Sequence, residues 1–363
     1  MRIMYLLFSF TVGGTERLVA DICKEMILNN QEVFLYIVND LYSGELLDSL
    51  DKRIHVELQN RPVGGEEKIT TLLKIAKYVK QYRIDVVHCN SFNSPELLII
   101  SKLINSKCKI VHTIHGMGQF EGSNRINILV RNWLCDSFIG ISDAVKEDML
   151  KAGINSKKTT RVYNGIDIKR YECARVKVFD LENIRIGCVA RIMPQIKGQD
   201  VLLKAIFMIK QEYPKINVVF AGGVSENQRT EYEVLIQFVH DNNLESNVHF
   251  AGNISNIPKF LNSIDICVIP SRSEGFGLAL IEAMSMGIPC VASDVAGPRE
   301  IITNENIGTL FASGDSDDLV KQLKYVISNY ASIKNDAWKR KDIIKNKFSV
   351  ESMCVRLQEI YKK

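Results

Sequence analysis

The sequence lacks the signatures of several well-defined classes of protein. Its nine cysteines form no Cys-x-x-Cys pair and no zinc-like His/Cys spacing, and several lie inside apolar runs. We therefore expect buried, reduced thiols and a cytoplasmic protein. No apolar run approaches the ~20 residues that span a bilayer. The net charge of +4 comes with interspersed signs and no aromatic-basic motif, so nucleic acid is not an expected partner.

The N-terminal segment "MRIMYLLFSF" is apolar, as a signal peptide would be. It is short, however, has no small-residue cleavage site, and leads directly into "TVGGTER". These features favour a first buried strand over a secretory signal.

Segments that are apolar throughout alternate with helix-length amphipathic patterns along the 363 residues. Such strands, separated by crossover helices, are typical of parallel sheets covered on both faces. The pattern pauses at the polar stretch "YNGIDIKRYECARVKVFDLEN" and then restarts. The sequence thus predicts an α/β fold of two Rossmann-like domains facing across a cleft. Their expected bounds are residues 1–168 and 183–345, with a linker at 169–182 and a terminal helix at 346–363.

Candidate ligand-binding residues stand where predicted strands end, which is where such folds bind ligands. Gly13 and Gly14 follow the first strand and would let the backbone approach a ligand, although a plain strand-to-helix turn explains them as well. The dinucleotide fingerprint G-x-G-x-x-G is missing here. His115 and Gly116 follow a later strand, where a structural histidine is the alternative interpretation.

Two positive charges follow the first strand of the second domain. Arg191 and Lys197, hereafter the cation pair, bracket the loop of "ARIMPQIKGQD". A guanidinium and an ammonium that converge on one site suit a diphosphate. Isolated surface cations are the alternative.

Two carboxylates flank a glycine turn in "SRSEGFGLALIEAM". Glu274 precedes the turn, and Glu282 lies about five residues into the predicted helix behind it. The N–H groups around the start of that helix would be available to an anion, and carboxylates accept hydrogen bonds from sugar hydroxyls. These N–H groups belong to Gly275, Phe276, Gly277 and Leu278. A helix cap plus a helix-face charge is the alternative.

Together these motifs resemble the retaining family-four glycosyltransferases of the GT-B fold over essentially the whole chain. The matching features are the "GGTE" turn, His115-Gly116, "NGID" at 164–167, the cation pair, and the E-x7-E segment from Glu274 to Glu282. One departure stands at "DVAGPREII", where the family often has two glycines and this chain has Ala296 before Gly297.

The resemblance implies a nucleotide-sugar donor, usually UDP-linked, bound by the second domain. It implies that the cation pair holds the diphosphate, Glu274 the donor sugar and Glu282 the ribose. It further implies that His115 contacts the donor sugar across the cleft and that Gly13 and Gly14 pack near the diphosphate.

The same resemblance makes Asn164 a candidate on the acceptor side and has the terminal helix cross back to the first domain. The implied reaction retains the anomeric configuration. The cation pair would replace a metal, so no metal or other cofactor is expected.

The leading hypothesis is therefore a glycosyltransferase acting on a glycan or lipid-linked acceptor in polysaccharide or glycolipid assembly. A nucleotide-sugar 2-epimerase, a glycosidase and a non-catalytic nucleotide-sugar-binding subunit are the alternatives. The amphipathic stretch "EEKITTLLKIAKYVKQYR" leaves open a peripheral contact with the inner face of the membrane. That contact would use Lys74, Lys77 and Lys80, with Leu73, Ala76 and Val79 on the apolar side. The alternative is a helix that packs on its own sheet and turns a basic face to solvent.

Overall fold

A computed structural model describes residues 1–65, 68–105, 107–172, 179–303 and 308–363. The chain divides into two compact units. Unit 1 comprises Met1–Ile166 and Ser349–Lys363, and unit 2 comprises Asp167–Phe348. Residues 173–178 of the predicted linker, 169–182, lie outside the described residues. So do residues 304–307, which belong to the predicted second domain and include the start of its last predicted strand.

Unit 1 is built on a seven-stranded parallel sheet in the order β3-β2-β1-β4-β5-β6-β7. Its strands are β1 (Arg2–Leu7), β2 (Glu32–Asn39), β3 (His55–Arg61), β4 (Val86–Cys89), β5 (Lys109–Ile114), β6 (Ser137–Gly140) and β7 (Thr159–Arg161). Its helices are α1 (Gly14–Leu28), α2 (Gly44–Asp48), α3 (Lys68–Gln81), α4 (Ile99–Ile104), α5 (Arg125–Leu134), α6 (Asp143–Lys151) and α15 (Val350–Lys362), with 3-10 turns at Pro95–Leu98 and Ser156–Lys158.

The strand order determines which face of the sheet each helix covers. From β1 the chain runs outward to β2 and β3, then returns to β4 and continues to β7 in the opposite direction. Because crossovers between parallel strands are right-handed, α1 and α2 cover one face and α3 to α6 the other. Helix α15 packs against α1. The buried tyrosine Tyr361 of α15 places its hydroxyl 2.6 Å from Nδ1 of His88 on β4, so a buried polar contact ties this helix to the sheet.

Unit 2 is built on a six-stranded parallel sheet in the order β10-β9-β8-β11-β12-β13. Its strands are β8 (Arg185–Val189), β9 (Asn217–Ala221), β10 (Val248–Gly252), β11 (Ile266–Ile269), β12 (Cys290–Ser293) and β13 (Thr309–Phe311). Its helices are α7 (Pro194–Lys197), α8 (Gln199–Ile209), α9 (Arg229–Asp241), α10 (Ile257–Leu261), α11 (Leu278–Ser285), α12 (Ala296–Ile301), α13 (Ser316–Ser328) and α14 (Tyr330–Lys347), with 3-10 turns at Ile168–Tyr171 and Glu226–Gln228.

The predicted fold class, two parallel sheets covered by helices, is confirmed. Each sheet carries fully buried central strands, as the unbroken apolar segments indicated. The pattern missed β7, because a three-residue edge strand is too short to show a period. It also grouped Leu73 with the apolar side of α3, whereas the structure exposes that side chain. The eight cysteines within the described ranges are all buried and form no disulfide.

Candidate functional site

The candidate site of unit 2 lies at the carboxyl edge of its sheet. Strands β8 and β11 are neighbours, and the chain leaves β8 toward β9 but leaves β11 toward β12. Ligands of open α/β sheets bind at such a reversal of strand order. The loop carrying the cation pair follows β8 and the glycine turn follows β11, so the topology brings the two motifs side by side.

A glycine holds these two loops together. Gly198 joins α7 to α8 at a φ of +67°, and a Cβ there would collide with the carbonyl oxygen of Pro270. The N–H groups of Arg272 and Ser273 both donate to the carbonyl oxygen of Ile196, at 2.8 and 3.2 Å. The loop after β8 is therefore pressed directly onto the end of β11.

A second connection was not predicted from the sequence. The guanidinium of Arg272 donates to both carboxylate oxygens of Asp200, at 2.6 and 2.7 Å, and to the carbonyl oxygen of Pro194 at 2.7 Å. The hydrogen bond to Asp200 raises the pKa of Arg272 above its ordinary value. Such a two-pronged ion pair adds geometric precision as well as energy, so it holds the two loops in register.

Lys197, one member of the cation pair, forms an ion pair with Glu274, one of the two glutamates. Lys197 Nζ donates to Glu274 Oε2 at 2.7 Å, with side chains 22% and 19% exposed. Ser271 Oγ lies 3.4 Å from the same oxygen. The side chain of Arg191 is exposed, and among the described residues no ion pair holds it. In this structure Lys197 is thus paired with a carboxylate, whereas Arg191, which lies in the same loop after β8, is exposed.

The glycine turn begins α11. Gly277 is the residue before the helix and has a φ of +116°, which favours glycine. The first N–H groups of an α-helix, which here begin at Leu278, have no acceptor within the helix. Phe276 is buried and packs edge-on against Phe348, with 5.6 Å between ring centroids. The turn is therefore anchored by its aromatic residue.

The departure from the family's two glycines falls where the backbone tolerates it. Gly297, the second position, donates its N–H to the carbonyl oxygen of Glu274 at 3.0 Å. A Cβ there would collide with the carbonyl oxygen of Phe276. Ala296, the first position, begins α12. The glycine that the close approach requires is thus present.

Glu282 is the fifth residue of α11 and has a partner that the sequence did not reveal. The hydroxyl of Tyr171 donates to Glu282 Oε1 at 2.7 Å, across 111 residues of chain. Tyr171 is buried at the end of the 3-10 turn that begins unit 2. Its hydroxyl therefore orients one oxygen of this carboxylate.

The candidates of unit 1 lie at the ends of other strands. His115 follows β5, and its Nε2 lies 3.2 Å from Oδ1 of Asn90, which follows β4. Because a carboxamide oxygen only accepts, Nε2 carries the proton and the buried Nδ1 remains an acceptor, with no partner among the described residues. Burial lowers the pKa of His115 to about 4. The sequence missed Asn90, although a polar residue directly after a buried strand is the signal that would have found it.

Gly13 and Gly14 lie at the start of α1 in unit 1. Gly13 has an extended backbone with a φ of −157°, and a Cβ there would approach only the flexible side chain of Glu16. Neither glycine is among the residues found with positive φ. Their conformation therefore does not by itself require glycine.

The "NGID" motif has a structural role in unit 1. A Cβ at Gly165 would collide with the backbone of Ser349 and Val350, and Ile166 accepts a hydrogen bond from the N–H of Val350 at 2.9 Å. Asn164 is buried, and its Oδ1 has no partner among the described residues. The motif thus docks the start of α15 and leaves one amide oxygen for another use.

No group of three or more His, Cys, Asp or Glu side chains in the described parts of the chain could hold a metal ion. The one Asp-x-Asp sequence, at 315–317, begins a helix. Asp315 accepts hydrogen bonds from the N–H groups of Asp317 and Asp318, at 2.9 and 3.0 Å, and so caps α13.

The fold places the chain among two-unit α/β proteins with Rossmann-like sheets. Residues 12–170 match Glycosyltransferase Family 4, and residues 172–348 match Glycosyl transferases group 1. The two matches together span nearly the whole chain, which therefore belongs to this family of glycosyltransferases.

Individual relatives are similar over most of their length. The chain is 26% identical to the Escherichia coli UDP-Gal:alpha-D-GlcNAc-diphosphoundecaprenol alpha-1,3-galactosyltransferase, over 88% of this chain and 86% of that protein. It is 23% identical to the O-antigen biosynthesis glycosyltransferase WclY of Escherichia coli, over 99% and 98%. Anabaena HepE, solved with UDP and glucose, has a TM-score of 0.86 at 23% identity, with 100% of both chains covered, and so shares the fold.

Proposed function

We propose that the protein is a retaining, metal-independent glycosyltransferase. It moves a sugar from a UDP-sugar to a glycan or lipid-linked acceptor in polysaccharide or glycolipid biosynthesis. The observation that carries this proposal is the contact between Lys197 and Glu274 beside the N-terminus of α11, at the reversal of strand order in unit 2.

The donor-side roles follow the geometry of this contact. A diphosphate takes the place of the Glu274 carboxylate on Lys197 and also recruits the exposed Arg191. The N–H groups at Gly275, Phe276, Gly277 and Leu278 receive its remaining charge. Glu274, released from Lys197, accepts hydrogen bonds from the donor sugar. Glu282, which is oriented by the hydroxyl of Tyr171, accepts a hydrogen bond from the ribose.

The chemistry that suits these groups is substitution on one face of the anomeric carbon. The bond from that carbon to the diphosphate oxygen breaks, and a bond to the acceptor oxygen forms on the same face. The acceptor proton passes to the departing diphosphate oxygen. Negative charge grows on the diphosphate as it leaves, and the cation pair stabilises that charge more strongly than it stabilises the bound donor.

The candidates of unit 1 remain predictions. His115 is proposed to contact the donor sugar as a neutral imidazole, because burial disfavours its charged form. Gly13 and Gly14 are proposed to pack near the diphosphate, and Asn164 to serve the acceptor side with its unpartnered amide oxygen.

The donor and acceptor classes are drawn from the relatives. One relative is named for UDP-galactose and a diphosphoundecaprenol-linked acceptor, another for O-antigen biosynthesis, and HepE was solved with UDP. We infer the same chemical classes for this chain and a site of action at the inner face of the cytoplasmic membrane. In the parts of the chain that the structure describes, no helix is long and apolar enough to cross a membrane.

The test begins with thermal unfolding in the presence of individual nucleotide-sugars, since a ligand that binds only the native state raises the unfolding temperature. The stabilising donor is then incubated with acceptors, with and without excess chelator, and the product anomer is read by NMR. We expect transfer with retention that survives the chelator. An epimerised nucleotide-sugar, or binding without turnover on any acceptor, would support the epimerase or the non-catalytic alternative instead.

A further inference from the structure

Three helices of unit 1 belong to one layer. Right-handed crossovers place α3, α4 and α5 on the same face of the seven-stranded sheet. Helices α3 and α4 pack against each other, and all three helices contact the 3-10 turn at Pro95–Leu98. Their outward sides therefore form neighbouring parts of one surface.

Helix α5 turns an apolar stripe to solvent. Ile126, Leu129 and Trp133 are 70%, 66% and 50% exposed, and they recur at the spacing of one helix face. The opposite face of the same helix is already satisfied, because Ile128 and Leu134 are buried. The stripe is thus additional to the apolar residues that the fold needs.

The two neighbouring helices extend this surface. Ile69 and Leu73 on α3 lie four residues apart, and Leu103 and Ile104 end α4. Each of the four is more than half exposed. Large apolar side chains gathered in this way on one layer mark an interaction surface, whereas single ones are ordinary.

The charge of the three helices has one sign. Their sequences contain four lysines in α3, one in α4 and two arginines in α5, and no aspartate or glutamate. Lys74, Lys77, Lys80 and Arg125 are exposed. Helix α6, in the same layer, carries three acidic residues and marks where this charge pattern ends.

We propose that the outer side of α3, α4 and α5 docks onto a bilayer that contains anionic lipids. The apolar stripe enters the boundary between headgroups and acyl chains, and the exposed cations meet the lipid phosphates. A second copy of this chain fits the surface poorly, since a two-fold interface would set the same cations against one another. The inference deepens the proposed function, because a lipid-linked acceptor would then be met at the surface that holds the enzyme.

Sedimentation with vesicles tests the proposal on the full chain. Vesicles of phosphatidylglycerol and phosphatidylcholine in equal parts are compared with vesicles of phosphatidylcholine alone. We expect binding to the anionic vesicles that weakens at high salt, because surface charges are then screened. The double variant Leu129→Gln with Trp133→Gln should bind the anionic vesicles with about one-tenth of the parent's affinity or lower, because it removes two inserting side chains.

A matched control comes from the opposite layer. Leu28 on α1 and Val355 on α15 are exposed to a similar degree, so Leu28→Gln with Val355→Gln removes two apolar side chains from the other face. This variant should bind vesicles as the parent does. A charge arm, Lys74→Glu with Lys77→Glu, should abolish the preference for anionic lipid while the fold, followed by circular dichroism, stays intact.

Three results would overturn the proposal. These are no binding to anionic vesicles, equal losses of vesicle affinity in the two apolar double variants, or a concentration-dependent dimer that is abolished only by Leu129→Gln with Trp133→Gln. UDP affinity, measured by calorimetry without vesicles, separates this proposal from the proposed function. Vesicle binding without UDP binding would support the docking surface on α3, α4 and α5 and contradict the proposed UDP-sugar donor.

Discussion

The contact between Lys197 and Glu274 makes the two glutamates of the glycine turn experimentally separable. Before a donor binds, the Glu274 carboxylate contacts the Lys197 ammonium at 2.7 Å. Under the proposed roles it therefore competes with the incoming diphosphate for that ammonium. Glu282 is bound instead by the hydroxyl of Tyr171, which donates to its Oε1 at 2.7 Å. Replacing each glutamate by glutamine keeps its shape and one acceptor oxygen while removing the charge. The two variants should therefore change UDP affinity in different ways.

The magnitudes follow from burial. Both side chains of the Lys197 contact are about one-fifth exposed, so the pair is worth about 1 kcal/mol, between a surface and a buried ion pair. Glu274→Gln should leave UDP binding unchanged or tighten it by up to about fivefold. Glu282→Gln removes a charged hydrogen bond to the ribose, worth about 1.5–3 kcal/mol, and should weaken UDP binding about 10- to 150-fold.

Calorimetry with UDP and kinetics with the intact donor measure both variants. Glu274→Gln should lose transfer activity, because its proposed partner is the donor sugar, which UDP lacks. Repeating Glu274→Gln in a Lys197→Met background is the control, since any gain in UDP affinity that acts through the ammonium must vanish there. Equal losses of UDP affinity in the two single variants would refute the assignment. No effect in either would reduce the pair to a helix-terminal contact and a helix-face charge.

Three further predictions concern groups around the two candidate sites. Tyr171→Phe should weaken UDP binding about three- to tenfold and lower the unfolding free energy by about 1–2 kcal/mol, because it removes a hydrogen-bond donor from the Glu282 oxygen. Calorimetry measures the UDP affinity and urea unfolding measures the stability. An unchanged UDP affinity would contradict the positioning role of Tyr171. Alanine at either member of the cation pair should lower kcat by more than it raises the donor KM, and an effect on KM alone would assign the pair to ground-state binding. Burial lowers the pKa of His88 to about 3, that of His115 to about 4, and that of His112 well below its ordinary value. In the unfolded chain these histidines take up protons at about pH 6.5, so the stability present above that pH should fall as the pH drops toward 4. Between pH 7 and 5 the free energy of unfolding should fall by at most about 2 kcal/mol per histidine. Equal urea midpoints at pH 7 and pH 5 would contradict this.

What the sequence could predict depended on whether the relevant signal is local. Strands that are apolar throughout and a glycine turn before a helix are patterns of a few residues, so the fold and the neighbourhood of Glu274 could be predicted. The bond from Tyr171 to Glu282 spans 111 residues and the ion pair from Arg272 to Asp200 spans 72. No local pattern specifies such partners, because only the folded sheet brings them together.

The exposed leucine on α3 shows a different limit. An amphipathic pattern assigns a helix one apolar side, and Leu73 fits that side by its type. The structure buries the neighbouring positions Ile75, Ala76 and Val79 instead. Periodicity therefore indicated that the helix packs on the sheet, but could not separate residues that pack inward from residues left for a partner.

The pairing of Ile166 with the start of α15 bears on how such enzymes diversify. Unit 2 is one continuous segment, and the residues of unit 1 on either side of it, Ile166 and Ser349, form a bridge, with the N–H of Val350 2.9 Å from the carbonyl oxygen of Ile166. Segments whose flanks already touch can be inserted or exchanged at little cost in loop closure. Under the donor role proposed for unit 2, a gene for this chain could therefore acquire another nucleotide-sugar specificity through two crossovers, at codons for residues that are neighbours in space, while the sequence of unit 1 stayed unchanged.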